Sequence, residues 1–368
     1  MPVSISGTNG ITFPDNSIQT AAASPFGLKN RLINGDMVVD QRNNGASITG
    51  NNGAYGVDRW VLYATQSSKL TCQRNQNSVT PPAGFTNYLG YTSSSAYTVG
   101  SSDYFSLTQP IEGFNVADLA WGTANARTVT LSFWVRSSLT GTFGGALRNS
   151  DVTRTYPFSY TISSANTWEY KTITIPGDTS GTWNTTNGYG LAININLGAG
   201  ATVSGPAGVW ANTFYCNASS TVNLVGTNGA TFYITGVQLE RNTTATPFEW
   251  IPYTTELQLC QRYLPALNGI YWTSTGYAYA ANTGIGFITF PVTARTAPTG
   301  ITYSSLSHFT VANSTNTSYT PTNIIIDVGN PAGTSIIWTT STGLTSGTPT
   351  RMYASNASAQ ILFTGCEL

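Results

Sequence analysis

Apolar and polar residues alternate with a period of two along most of the chain, and that alternation places strands. In LAININL, Leu191, Ile193, Ile195 and Leu197 take one face while Asn194 and Asn196 take the other. Comparable runs (RWVLYA, TVTLSFWV, YKTITI, TFYITGVQL) recur between about residues 28 and 252, separated by clusters of Gly, Asn, Pro and Ser. Many short strands with turn signals between them predict a β-sandwich, because each half-apolar sheet must bury its face on another. From residue 265 to 368, GFITFPV, GITYSS, NIIIDVG, SIIWTT, RMYAS and AQILFTG predict a second β-sandwich. No strict internal repeat marks a solenoid. The expected fold class is all-β.

The pattern changes between Gly236 and Leu264. Pro247 and Pro252 break ladder pairing, since each lacks a backbone donor and fixes φ. Thr255 and Gln258 have capping-box spacing, which predicts a helix start, and Pro265 ends the helix by about Leu264. A helix of roughly ten residues is marginal alone in water. Its face Leu257, Cys260, Leu264 is therefore expected to pack on a partner, about a three-fold axis between copies. Residues 1–27 read as a separate hairpin: Ile11 and Phe13 alternate, Pro14 to Ser17 is turn chemistry, and Ile18 resumes the apolar position. So short a hairpin needs a partner too.

The passage GVQLE…ATPFE…TEL…LCQRY between Gly236 and Leu264 resembles one that recurs in bacteriophage and prophage tail-fibre or receptor-binding proteins. There it joins a carbohydrate-binding-module-like jelly roll to a C-terminal β-domain. GTNGITFPDNSIQTAAA resembles the short fibre repeat of such chains, and NRLINGDMVVDQRNNG with YGVDRW resembles the entry to the jelly roll. LSFWVRSSLTGTF, TWEYKTITIPGDTSGTW, FPVTARTAPTG and FTGCEL extend the match. Two positions depart from it: Thr293-Ala294 stands where methionine is more usual, and Cys366 where a small or acidic residue is.

The resemblance implies a virion-anchoring segment (1–27), a jelly roll (28–252), a linker helix (253–264) and a receptor-binding β-sandwich (265–368). It further implies a homotrimer assembled in the host cytoplasm and carried on the virion. Its partners would be a tail or baseplate protein at the N-terminus and host cell-surface polysaccharide. The expected function is attachment without catalysis. A decoration or neck-appendage protein with weak glycan binding and a polysaccharide-depolymerising tailspike are the rivals.

Composition sharpens this picture. Charged residues are 8% of the chain, against about 25% in ordinary soluble domains, and the net charge is zero. A neutral, lysine-poor surface argues against nucleic acid and suits an uncharged or weakly charged partner such as a glycan. No apolar run reaches the roughly 18 residues of a membrane span. Cys72, Cys216, Cys260 and Cys366 lack metal or redox spacing, so buried thiols are expected, with Cys260–Cys366 pairing left open. No cofactor is implied.

Little in the sequence points to catalysis. His308 has no neighbouring acid in sequence, and no spacing singles out Asp151, Glu169 or Asp178 as a glycosidase pair. Asp178, Asn184 and Asn187 are weak calcium candidates, explained equally by turns. Sugar rings present apolar C–H faces that stack on flat side chains, so aromatics matter more. Tyr271, Trp272, Tyr277, Tyr279 and Trp338 are the glycan-contact candidates of the last domain, with Tyr353 near them. Trp183, Tyr189 and Trp210 are those of the jelly roll. The same tyrosines would equally serve an interface between copies. Trp60, Trp134, Trp168 and Trp250 are expected in the core.

Overall fold

The period-two runs become strands wherever the alternation is clear. The computed structural model describes residues 28–270 and 273–368, together with the backbone of three N-terminal strands. Those are β1 (Ser4–Ser6), β2 (Gly10–Thr12) and β3 (Ile18–Gln19), an antiparallel meander with Thr12 opposite Ile18. The turn expected at Pro14 to Ser17 lies outside the described residues.

The first sandwich opens with β4 (Ile48–Thr49), β5 (Ala54–Val57), β6 (Trp60–Ala64), β7 (Leu70–Arg74), β8 (Leu89–Ser93) and β9 (Tyr104–Glu112). It continues through β10 (Val129–Ser137), β11 (Gly141–Asn149), β12 (Thr155–Ile162), β13 (Glu169–Ile175) and β14 (Tyr189–Ala199). The short β15 (Ser204–Gly205) and β16 (Asn217–Ala218) precede β17 (Thr231–Glu240). Two six-stranded sheets result, in the orders β13-β10-β17-β8-β7-β4 and β12-β11-β14-β9-β6-β5. Leu191, Ile193, Ile195 and Leu197 are all buried between them, against Phe105, Leu107, Leu131 and Phe133. Each such side chain contributes about 1.5–3 kcal/mol by leaving water.

Strand phase decides the fate of the tryptophans. Trp60 is in the core, its Nε1 donating to the Asn34 carbonyl at 2.9 Å. On β10 the inward positions are Leu131, Phe133 and Val135, so Trp134 points outward against Tyr170. Trp168 is half-buried and bonds the Thr80 carbonyl. Trp250, expected in the core, is exposed: it follows the last strand and stacks on Phe85 and Phe248 at the surface.

Gly236, in the passage that carries the family resemblance, has a physical reason. It sits where the β10–β17 register shifts, at φ +62°, and an added Cβ would lie 2.6 Å from Phe85 Cζ. Gly236→Ala is expected to destabilise by about 1–3 kcal/mol, from left-handed strain and overpacking together, read as a lower urea midpoint.

The helix α1 (Tyr253–Gln261) starts two residues before Thr255. Pro252 occupies the cap position with no side-chain cap, so the expected capping box is absent; Pro252 costs no hydrogen bond there. Cys260 and the following Tyr263 are buried against Ile33 and Val39, with Leu257 packed beside them. Leu264 packs on Ala266 and Leu362. Cys260 and Leu264 are thus covered within the chain itself, which corrects their expected place between copies, while Leu257 stays half-buried.

The last domain comprises β18 (Ala266–Asn268), β19 (Thr273–Ala280), β20 (Thr283–Thr289), β21 (Gly300–Tyr303) and β22 (Phe309–Ala312). β23 (Ser318–Tyr319), β24 (Asn323–Asn330), β25 (Gly333–Thr339), β26 (Pro349–Ala354) and β27 (Gln360–Thr364) complete it. A seven-stranded sheet, β23-β22-β26-β19-β20-β25-β24, faces the three-stranded sheet β18-β27-β21 across a core of Phe290, Phe309, Ile336, Trp338 and Phe363. The four cysteines are free and buried. Among the described residues no helix is long and apolar enough to cross a membrane.

Candidate functional site

The inward phase of β14 leaves Ala192, Asn194 and Asn196 on the outward side of its sheet. Register places Asn194 opposite Thr108 of β9 and Asn196 opposite Ser106. The segment after β14 folds back over this face: β16 pairs with β15, and Cys216 and Asn217 are buried against the sheet. Between segment and sheet lies a cleft of about 350 Å³, whose lining includes Tyr63, Tyr104, Thr108, Arg148, Asn194 and Phe214.

Polar groups in the cleft are only partly satisfied. Thr108 Oγ1 donates to Asn194 Oδ1 at 2.8 Å, and Asn196 Nδ2 donates to Ser106 Oγ at 3.0 Å. Asn194 is 2% exposed, and its Nδ2 is buried with no partner. Arg148 lies 5.2 Å over the ring of Tyr189, and its one side-chain hydrogen bond among the described residues, to the Asn149 carbonyl, is long at 3.4 Å. The Tyr189 hydroxyl is also buried without a partner. A buried polar group left unpaired costs about 1–3 kcal/mol, so these atoms await water or a ligand. Burial raises the Tyr63 and Tyr189 phenols above their ordinary range, with Arg148 opposing, so both stay protonated donors near neutral pH. Burial likewise pushes the Cys216 thiol up to about 12, leaving it unreactive.

Of the residues expected from sequence, Tyr189 adjoins this cleft. Trp183 and Trp210 form an edge-to-face knot with Trp121, at centroid distances of 4.8 and 5.4 Å from it. Their indole nitrogens donate to the Ser180 and Pro176 carbonyls. Both are half-buried, and neither lines the cleft. The calcium candidates do not converge on an ion. Asp178 is held by two bonds of 2.6 Å from Arg154, and Asn184 Oδ1 closes its own turn with Thr186. Asn187 is exposed, and its carbonyl accepts from Arg295. Among the described residues no group of three His, Cys, Asp or Glu is placed to hold a metal.

In the last domain Tyr277 and Tyr279 are exposed on the outward face of the seven-stranded sheet. Trp338 is fully buried, its ring lying over Gly284 and Gly286. No ligand reaches it there, which corrects its assignment as a contact residue. Tyr271 and Trp272 lie outside the described residues, and Tyr353 stacks with Arg351 at 5.3 Å. Register aligns Tyr277, Ile285, Ile337 and Ile325 across four neighbouring strands, with Phe287 beside them. This row is partly open to solvent, and Phe287 and Ile325 are exposed.

The carboxylates are committed elsewhere: Glu169 to Lys171 at 2.6 Å, Asp178 to Arg154, Asp151 to the Ser150 hydroxyl. His308 Nδ1 faces Ser304 Oγ at 2.9 Å. Sequence reasoning missed Tyr63, Thr108, Arg148 and Asn194. The available signal was two asparagines in an otherwise apolar strand.

The chain matches no protein-family model and no curated protein. Similar solved structures include the enzymatically active domain of tailspike protein 4 of bacteriophage CBA120, at 15% identity and TM-score 0.31, covering 57% of this chain and 21% of that one. TmCBM61, in complex with β-1,4-galactotriose, aligns at 13% identity and TM-score 0.28, covering 58% and 99%. The family 11 carbohydrate-binding module of Clostridium thermocellum, in complex with a β-1,3-1,4-mixed-linked tetrasaccharide, aligns at 13% identity and TM-score 0.28, covering 54% and 98%. At such identities and scores these likenesses assign no residue or activity to this chain.

Proposed function

We propose that this chain is a structural virion protein, a tail fibre that attaches to host-surface glycan and does not cleave it. The cleft carries the reading: aromatic rings around a cleft with an unpartnered buried amide in its wall suit a sugar's apolar faces and hydroxyls together. The N-terminal meander serves attachment to another tail or baseplate protein. Replacing Asn194 with leucine and Thr108 with valine removes the polar pair while keeping the heavy-atom count of each side chain. Glycan affinity is expected to fall about tenfold or more with the unfolding midpoint little changed, since buried polar pairing sets specificity. Wild-type affinity in that variant, measured by calorimetry against host polysaccharide, rules the cleft out. Polysaccharide incubated with the protein is expected to keep its chain length; shortening supports the tailspike alternative.

The exposed row on the last domain favours contact between copies. Branched Ile285, Ile325 and Ile337 bury well against protein but offer no flat surface for a sugar, and large exposed apolar faces mark interaction sites. We assign this face to the homotrimer. Ile337→Asp is expected to turn a trimer into monomers by light scattering. The other reading rests on the exposure of Tyr277 and Tyr279: their double alanine variant is expected to keep glycan affinity, and a loss of affinity in an intact trimer moves the receptor contact to this domain.

A further inference from the structure

The geometry points to a specific ligand class for the cleft: a glycan bearing a carboxylate, read by Arg148. This rests on the cleft being the glycan site.

Three observations carry it. The first is the charge of Arg148. It is half-buried on the cleft wall, and none of the salt bridges among the described residues includes it. Its one side-chain hydrogen bond among the described residues is long, so most of the five donors of the guanidinium fork remain open. Of the other half-buried arginines, Arg31, Arg42, Arg154 and Arg262 are matched to carboxylates, while Arg74 and Arg295 donate to main-chain carbonyls and Arg136 lies over the Tyr233 ring.

The second is the balance of donors and acceptors around it. Asn194 Oδ1 is taken by Thr108, and Ser106 Oγ already accepts from Asn196. What the cleft wall leaves open is two donors, Arg148 and Asn194 Nδ2; beside them the Tyr189 phenol can give or receive, and Asn217 Oδ1 is an unpaired acceptor on the covering segment. A sugar hydroxyl must both give and receive to be satisfied. A carboxylate only receives, with about four lone-pair sites, and so complements a donor-rich wall.

The third is orientation. The Arg148 guanidinium rests against the Tyr189 ring at 5.2 Å, a contact of about 0.5–1 kcal/mol that favours its place on the cleft wall. A fork held in place binds a planar carboxylate at lower entropic cost than a mobile lysine does. The zero net charge of the chain describes the whole molecule; among the described residues that line the cleft, Arg148 is the one charged side chain.

The test titrates the full chain with oligosaccharides ending in glucuronate, galacturonate or sialate. Each is paired with its carboxyl-reduced counterpart, in which CH2OH replaces the carboxylate. At least one acid form is expected to bind about 10–100-fold more tightly than its reduced partner, the range for hydrogen bonds to a charged group. That advantage shrinks as salt is raised. Arg148→Met is expected to equalise the two forms, and Arg148→Lys to retain part of the difference. The wild-type ratio needs no variant, so a misfolded Arg148→Met leaves the test intact. Equal wild-type affinities, both lowered by Asn194→Leu, overturn the carboxylate assignment and leave the glycan reading standing. No binding of any probe overturns both.

Discussion

Glu367→Ala is expected to lower stability by about 3–5 kcal/mol and to release the last domain from the jelly roll. Arg59 is 1% exposed, and its Nη1 meets Glu367 Oε2 at 2.5 Å. Its guanidinium also lies 3.6 Å over Tyr263, and its Nη2 donates to the Pro110 carbonyl. The other Glu367 oxygen accepts from Arg42 at 2.7 Å. One carboxylate near the C-terminus therefore neutralises two cations rooted in the first sandwich. Without it Arg59 remains buried with no counter-charge, which costs far more than the intact pair contributes. Glu367→Gln keeps hydrogen bonding without charge, and an intermediate loss is expected. Urea unfolding measures the cost, and proteolysis at the 241–252 connector detects domain release. A change under about 1 kcal/mol shows that Arg59 has access to water.

Much of this architecture was legible because strand phase is local. In LAININL every apolar residue shares one phase, so the inward face was readable. In SIIWTT the apolar residues occupy both phases, with Ile336 and Trp338 inward and Ile337 outward, so Trp338 was assigned to the wrong side. The helix face was equally legible, but not what covers it: Ile33 and Val39 lie more than 200 residues earlier in the chain, and no local pattern announces that contact. The cleft was hidden for a related reason. Outward positions on a strand read as solvent-facing, yet Asn194 is shut in by a segment that returns over the sheet. Local alternation gives the face, and long-range return of the chain decides whether that face is open.

Glu256→Gln is expected to stabilise the protein at pH 8 by roughly 1–3 kcal/mol and to leave it unchanged at pH 4. Glu256 is 7% exposed where α1 meets the entry segment, and it accepts from the Asn34 amide. Burial pushes its carboxyl from the ordinary 4.5 up to about 7; the amide opposes this, and the charges of Asp36 and Glu249 add to it. Between those two values the folded state holds a proton that the unfolded state has lost. Stability from this group therefore falls as pH rises through that window, and above it the buried carboxylate carries its full cost. Asp58, raised by burial to about 6, acts in the same direction over a narrower range. Glu112 acts oppositely: burial disfavours its charge, but Arg262 and Tyr263 outweigh burial and hold its carboxyl below the ordinary value, so its contribution is lost on acidification. The wild-type curve mixes these effects, so the informative quantity is the difference between variant and wild type. Unfolding measured from pH 4 to 8.5 is expected to show that difference opening between about pH 4.5 and 7. A difference that stays constant across the range means that Glu256 titrates normally and the junction is wet.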